Sequence, residues 1–481
     1  MTKHSFEARD HALFVSGERL ETGTWDEVLS PYDEAPVGRV ATCDAATVDQ
    51  ACESAHSAFE AGGFPQHQRA EVLNRAADLV AERQEDLALT IAAEAGKPLK
   101  TARVEAARTV GTLRFSAVEA LKLSGEMVPM EAGEAGMGKL GFILRIPYGV
   151  VGAISPFNFP LNLVAHKLGP SIAAGNATVL KPAGVTPISA IKLTEILYEA
   201  GLPEDWLQVV CGSGSEVGQA IVENPLTKAI TFTGSPPVGW GIRAEAARKK
   251  VNLELGSTAP MIVCEDGDWE SAADKAQLHA FSHAGQSCIS IQRILVHESL
   301  IDDFRDRFLA KVEELKVGDP MDDETDVGPL ISRGDRDRVK GWVDEAAAAG
   351  ATVLAGGDLV DDDRCLAPTV LAETPREETM WCEEVFGPVC TLHPFADFDQ
   401  AISMANDAKF GLQAGIFTRD VGRAIEAGNR LEFGGVMVNE APTFRTDQMP
   451  YGGIKDSGNT REGPAYSVLE LTEERLVSLQ G

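Results

Sequence analysis

The chain predicts an α/β fold: a doubly wound parallel sheet, a second α/β domain and a small β appendage. Three observations carry this. Five short apolar runs follow one another between residues 149 and 255, each about one helix length from the next. A second α/β pattern fills 260–438, and a Gly- and Met-rich segment ending in a strand-like run interrupts the chain at 122–148. The 481 residues suffice for two or three domains, and 44% hydrophobic with 24% charged residues excludes global disorder.

Taken in order, Thr47 is placed to cap a helix over 48–60, and apolar spacing predicts helices over 69–83 and 102–121. Residues 122–148 read as an exposed hairpin with a strand at 139–146. The runs 149–154, 177–180, 208–211, 229–232 and 252–255 predict strands, with helices near 163–174, 188–200, 215–222 and 238–247 between them. Such a succession implies parallel strands with ligand sites at their carboxyl ends. Strands near 261–264, 293–296 and 413–417, with a helix near 300–315, build the second domain. The alternating tail 468–479 predicts an edge strand suited to pairing with a partner. The resulting division is 1–121 with 147–255, then 256–440, with 122–146 and 441–481 as the appendage.

Lys and Arg number 43 against 73 Asp and Glu, a net charge of −30. With no basic tract, a nucleic-acid or anionic-membrane surface is excluded. The acid excess predicts a salt-rich cytoplasm, where self-repulsion is screened, although an ordinary acidic enzyme can carry the same count. Met1–Asp10 shows no signal-peptide pattern, and no apolar run is long enough to span a bilayer. The eight cysteines form no CxxC pair, and the nine histidines form no HExxH. His279 and His283 stand one helical turn apart without a nearby carboxylate or second pair, so they read as a helix face and no metal is expected. Free thiols in a reduced cytoplasm follow.

One thiol stands out. Cys288 lies among small polar neighbours in Gly285-Gln286-Ser287-Cys288, where a helix start would favour a thiolate; local chemistry alone favours a small buried hydrophobe instead. Glu254 ends an apolar strand, where burial would raise its pKa toward that of a general base, unless it reaches solvent. Asn158 follows the first strand between prolines and aromatics, as an amide donor to an oxyanion or simply as a turn residue. Lys181 ends the second strand. Gly212-Ser213-Gly214 and Phe232-Thr233-Gly234-Ser235 follow the third and fourth, where glycine permits close approach to phosphate.

The ordered set Ser155-Pro156-Phe157-Asn158-Phe159-Pro160, Lys181-Pro182-Ala183, Phe232-Thr233-Gly234-Ser235, Leu253-Glu254-Leu255-Gly256, Gly285-Gln286-Ser287-Cys288, Glu383-Glu384-Val385-Phe386-Gly387-Pro388 and Pro450-Tyr451-Gly452-Gly453 resembles the aldehyde dehydrogenase superfamily. The resemblance implies a nucleotide-binding domain, a catalytic domain and an oligomerisation hairpin with the C-terminal segment. It implies that the Cys288 thiolate attacks an aldehyde, that Asn158 and the Cys288 N–H hold the oxyanion, and that Glu254 activates water against the thioester. Lys181 belongs to both the catalytic and the cofactor-binding sets. Ser155, Pro156, Phe157, Gly214, Gly218, Phe232, Gly234, Ser235, Glu384 and Phe386 complete the cofactor set.

Gly184 stands where NAD-preferring members often carry Glu, so the cofactor is NAD or NADP with NADP accepted. Phe157 replaces a frequent Trp, and Ser257 a frequent Gly. Phe444 and Arg445 lie in the segment that lines the aldehyde pocket in relatives, and Arg445 would bind a polar substrate or pair with Asp447. The segment style is similar to lactaldehyde-type members. The expected reaction is oxidation of a short hydroxyaldehyde or semialdehyde by a cytoplasmic homodimer or homotetramer. A CoA-acylating semialdehyde dehydrogenase, a thiol-dependent esterase and a silent binding protein on the same scaffold stand as alternatives.

Overall fold

A computed structural model describes residues 6–480. Two seven-stranded sheets organise it. In the first, the strands Val150–Ile154, Ala177–Lys181, Leu207–Val209, Thr227–Thr233 and Lys250–Glu254 run parallel, as the apolar runs predict. Going across the sheet, their order is 250–254, 227–233, 150–154, 177–181, 207–209. The order therefore reverses between 150–154 and 227–233, which opens a crevice at the carboxyl ends there. The antiparallel hairpin Leu13–Val15 and Glu18–Leu20, which apolar runs that short do not announce, extends the 207–209 edge.

Helices Asn162–Ala174 and Ile188–Glu199 fill the first two crossovers. The former is buried along its whole length, because Leu99–Lys122 packs over it. At the start of Ala45–Ala61 the cap is Asp44, whose carboxylate accepts from the Thr47 N–H at 2.9 Å, so Thr47 sits inside the helix. The helix Gln84–Ala95, continuous with the preceding one in sequence and almost wholly apolar from Leu87, carries too little amphipathic contrast to be read from spacing.

The second sheet runs 352–355, 369–372, 389–395, 293–297, 260–263, 413–417, 435–438, parallel except for its first strand. Its core gathers Phe281, Phe304 and Phe308 under the helices Trp269–Phe281 and Ile301–Glu313. The segment 451–459 crosses back to the first sheet: the Asn459 side chain accepts from Leu253 N and donates to Val251 O, and Leu255 N donates to Ser457 O.

The appendage departs from expectation. Residues 468–470 belong to a helix, Pro464–Glu470, and the strand begins at Thr472. That strand pairs antiparallel with Lys139–Pro147 of its own chain, from Thr472 opposite Pro147 to Gln480 opposite Lys139. The tail thus completes a hairpin within the subunit, and Thr472–Gln480 is the outer edge of a three-stranded sheet. No helix among the described residues is long and apolar enough to cross a membrane.

Candidate active site

The carboxyl ends of the first sheet and the loop before strand Arg293–His297 of the second meet around Cys288. This loop follows no helix start. Ser282–Gly285 makes a tight turn in which His283 and Ala284 adopt left-handed backbone angles, φ 52° each, followed by Gly285 at φ 69°. A Cβ at Gly285 would lie 2.0 Å from Gly387 O, so the turn can press against 387 only as glycine. The loop is pinned further by Gln286, whose side-chain oxygen accepts from Ile331 N at 2.8 Å and whose carbonyl accepts from Asn158 Nδ2 at 2.9 Å. Asn158 is thereby brought beside the cysteine loop.

Cys288 is partly buried, and its sulfur lies 2.8 Å from the Tyr451 hydroxyl. Burial pushes the thiol up to about 12; the carboxyl groups of Glu384 and Glu254 add to this, while the Tyr451 hydrogen bond and Arg445 oppose it. Glu254 ends strand Lys250–Glu254, is 4% exposed, and neither of its oxygens has a hydrogen-bond partner. Burial raises its pKa well above the usual carboxylate range, with the Glu462 charge acting the same way. A Cβ on Gly452 would come within 2.7 Å of Glu254 Oε1, so the carboxyl group stands one residue along the chain from the Tyr451 that touches Cys288.

Behind these lies a buried charge network that sequence patterns did not reveal. Arg445 donates to Glu462 at 3.1 Å, and its guanidinium lies 3.8 Å from the centre of the Tyr451 ring. Its partner is thus Glu462 and not Asp447, which instead accepts from Arg108 at 2.8 Å. Lys167 donates to Thr233 at 2.7 Å and stands 3.7 Å from Glu462. Lys167 and Arg445 hold the Glu462 carboxyl below its ordinary value in spite of its burial. These residues are scattered along the chain from Lys167 to Glu462, and only the folded chain gathers them. Phe444 is 44% exposed, at the outer side of this segment.

The cofactor set divides. Lys181, which ends strand Ala177–Lys181, is buried, with Nζ bonded to the adjacent Pro182 carbonyl at 3.3 Å, and Gly218 packs against its methylenes. The Ser155 hydroxyl is buried and unpartnered. The Ser155 hydroxyl thus lacks a partner, and the Lys181 ammonium has one long bond to its own neighbour. Ser235 precedes helix Pro236–Glu245, whose two leading prolines remove two N–H donors, while Gly234 N is engaged with Glu254 O; a phosphate there would meet the helix dipole and few N–H groups. Gly214 opens the next turn, capped by Ser213. Phe232 is buried in the cluster with Ile230 and Leu253. Glu384 accepts from Ser257 N at 2.9 Å over Gly256, and burial raises it to about 7; Phe157 and Phe386 meet edge to face at 5.7 Å beside Pro156. Gly184 is exposed, with open space around it.

The model of the aldehyde dehydrogenase family matches residues 19–477. The chain belongs to this family. It is 44% identical over 473 residues to a 3-sulfolactaldehyde dehydrogenase of Priestia aryabhattai, covering 98% of each chain. It is 38% identical over 470 residues to a lactaldehyde dehydrogenase of Methanococcus maripaludis, covering 97% of this chain and 99% of the relative. The solved glyceraldehyde-3-phosphate dehydrogenase GapN of Methanocaldococcus jannaschii, complexed with NADP, superposes with a TM-score of 0.91 at 36% identity, over 95% of this chain and 100% of that one. The protein is therefore an NAD(P)-dependent aldehyde dehydrogenase. Among the described residues of this aldehyde dehydrogenase, no group of three His, Cys, Asp or Glu is gathered as a metal would need. His279 sits on the helix Trp269–Phe281, and His283 lies in the kink beyond it with both ring nitrogens buried and unpartnered.

Proposed function

We propose that the enzyme oxidises a short polar aldehyde to its carboxylate through a covalent adduct on Cys288. One observation carries this reading: the Cys288 thiol and the unpartnered, buried Glu254 carboxyl group flank the same Tyr451-Gly452 step. The Cys288 thiolate adds to the carbonyl carbon, a C–S bond forms, and the carbonyl electron pair moves onto oxygen. Asn158 Nδ2 spends one N–H on Gln286 O, and its second, with the Cys288 N–H, is available to the oxyanion. A nicotinamide held by Phe157, Phe386 and Glu384 would supply the hydride acceptor. As the C=O bond re-forms, the C–H bond of the adduct breaks and its hydrogen departs as hydride, which leaves the acyl group on Cys288 as a thioester. Glu254 then takes a proton from water, the water oxygen adds to the acyl carbon, and the Cys288 thiolate leaves.

Lys181, with Gly218 against it, and Ser155 would hold the adenosine side of the nucleotide. Phe157 and Phe386 would wall the nicotinamide side, and Glu384 would reach its ribose after leaving Ser257 N. With no side chain at Gly184, a 2′-phosphate meets no carboxylate there, which supports use of NADP. Arg445 keeps a buried Nε without a partner, a donor for a hydroxyl or anionic group at the far end of the substrate. The substrates named for the two relatives, sulfolactaldehyde and lactaldehyde, lead the candidates. We also propose a reduced cytoplasm, which keeps Cys288 a thiol, and a homodimer or homotetramer. Exposed Met127, Leu140, Leu476 and Leu479 on the outer sheet support that assembly.

The test is a panel of lactaldehyde, sulfolactaldehyde and succinate semialdehyde, each with NAD and NADP, followed by NAD(P)H absorbance. At least one aldehyde should turn over, and Cys288→Ala should abolish the signal. Turnover by that variant removes the proposed nucleophile, and turnover only with added CoA replaces hydrolysis by acyl transfer.

A further inference from the structure

Among the described residues, the Tyr451 hydroxyl is the one polar group in hydrogen-bond contact with the Cys288 sulfur, at 2.8 Å. Its residue is 3% exposed, and its ring is clamped beneath the Arg445 guanidinium at 3.8 Å, which is itself fixed by Glu462. Backbone bonds between Tyr451 and Glu462, in both directions, hold the segment in register. The hydroxyl is therefore delivered to the sulfur by a rigid frame, and among the described residues no other side chain bonds to it.

We propose that Tyr451 is a catalytic residue whose O–H donates to the Cys288 sulfur, stabilising the thiolate both when it attacks the aldehyde and when it leaves the thioester. This inference rests on Cys288 as nucleophile. The direction of the bond is fixed by the state of the sulfur: a thiol can donate or accept, whereas a thiolate can only accept, so the phenol must supply the proton of the bond. Tyr451 does not itself ionise in this role, since burial and the neighbouring Cys288 hold its pKa well above the ordinary phenol value. The cation over its ring draws electron density from it and makes the O–H a stronger donor. Two carboxyl groups, Glu384 and Glu254, raise the thiol, while Arg445 and Tyr451 are the groups that favour the thiolate. Of these two, only Tyr451 touches the sulfur. The Tyr451 O–H bond stays intact throughout: the thiolate forms its C–S bond as the carbonyl electron pair moves onto oxygen, and that C–S bond breaks again when the thiolate is released with the bonding pair.

Tyr451→Phe keeps the ring, and with it the Arg445 stacking and the core contacts with Ile289 and Leu412. The measurement is the rate of Cys288 alkylation by iodoacetamide, read by peptide mass spectrometry across pH on the full chain without added nucleotide. The variant should label about tenfold more slowly at a given pH, with its pH profile displaced upward, and kcat should fall by a similar factor at unchanged KM and Tm. A profile that superposes on wild type refutes the proposal. Cys288→Ala separates the two layers: if it abolishes turnover while Tyr451→Phe is silent, the tyrosine role alone fails, and if it leaves turnover intact, the nucleophile itself is wrong. Should Tyr451→Phe lower the Tm, fluorotyrosine at 451 keeps the hydroxyl and its frame; labelling that does not respond to phenol acidity overturns the role.

Discussion

Replacing Glu254 by Gln should make the enzyme slower and more stable at once. The side chain is 4% exposed, and neither oxygen has a partner, so the charged form is opposed by desolvation and by Glu462. Its folded-state pKa is raised above the ordinary 4.5, and the native state therefore holds a proton that the unfolded chain has released. Stability contributed by this group is fully present below pH 4.5 and is lost as pH rises through the folded pKa, by up to about 1.4 kcal/mol per pH unit. Glutamine does not titrate. The Tm difference between Glu254→Gln and wild type should be small at acid pH and should widen by a few degrees toward pH 8, at about 2–4 °C per kcal/mol for a cooperative unit of 150–250 residues. In catalysis, loss of a positioned base costs about 10²–10⁴-fold, or about 3–5 kcal/mol. Stopped-flow mixing with aldehyde and nucleotide should give one NAD(P)H per site in a burst, followed by a stalled steady state. A full steady-state rate would mean that another base acts. A Tm difference that does not depend on pH would mean that Glu254 is solvated.

Lys97→Met strips the buried partner from Glu105, whose carboxylate also accepts from Leu161 N and Asn162 N at the start of the helix under the site; differential scanning calorimetry should show a loss of about 3–5 kcal/mol, partly restored by adding Glu105→Leu. Gly184→Glu enters open space and should fold normally, while lowering kcat/KM for NADP by about tenfold or more relative to NAD; an unchanged ratio would place the 2′-phosphate elsewhere. With a net charge of −30, the Tm should climb as KCl is raised from about 0.1 M, where the screening length is about 10 Å, to about 1 M, where it is about 3 Å; a flat response rejects adaptation to salt.

The five parallel strands of the first sheet were legible because each is a short, doubly buried apolar run, and Lys181 and Glu254 fall at strand ends as their positions in those runs require. Other features were hidden for identifiable reasons. Thr47 yields the cap to Asp44 because an aspartate three residues before a free N–H accepts from it directly. The left-handed turn at His283 and Ala284 contradicts the local preferences of both residues and is imposed by the pinning of Gln286 on two sides. The partner of Arg445 is not the nearby Asp447, since Arg108 and His166, contributed by other helices, already occupy that carboxylate. Such choices are tertiary. Nothing within a window of sequence decides them.

Satisfaction of buried carboxyl groups separates structure from chemistry more sharply than charge does. Glu94 accepts from two backbone N–H groups at Ile188 and Ser189; Glu105 has Lys97 and two further N–H groups; Asp447 has Arg108 and His166; Glu462 has Arg445. Glu254, equally buried, has none, and Glu384 has only Ser257 N. An unpartnered buried carboxyl group costs stability, and a fold that gives each of four others at least one partner has the means to do the same for this one. That it does not leaves both Glu254 oxygens available to water, and a Glu384 carboxyl held by one bond is readily drawn to a ribose. The cost of folding is therefore concentrated on the two groups that the reaction needs unengaged, while the acid excess of −30 is carried elsewhere in the chain.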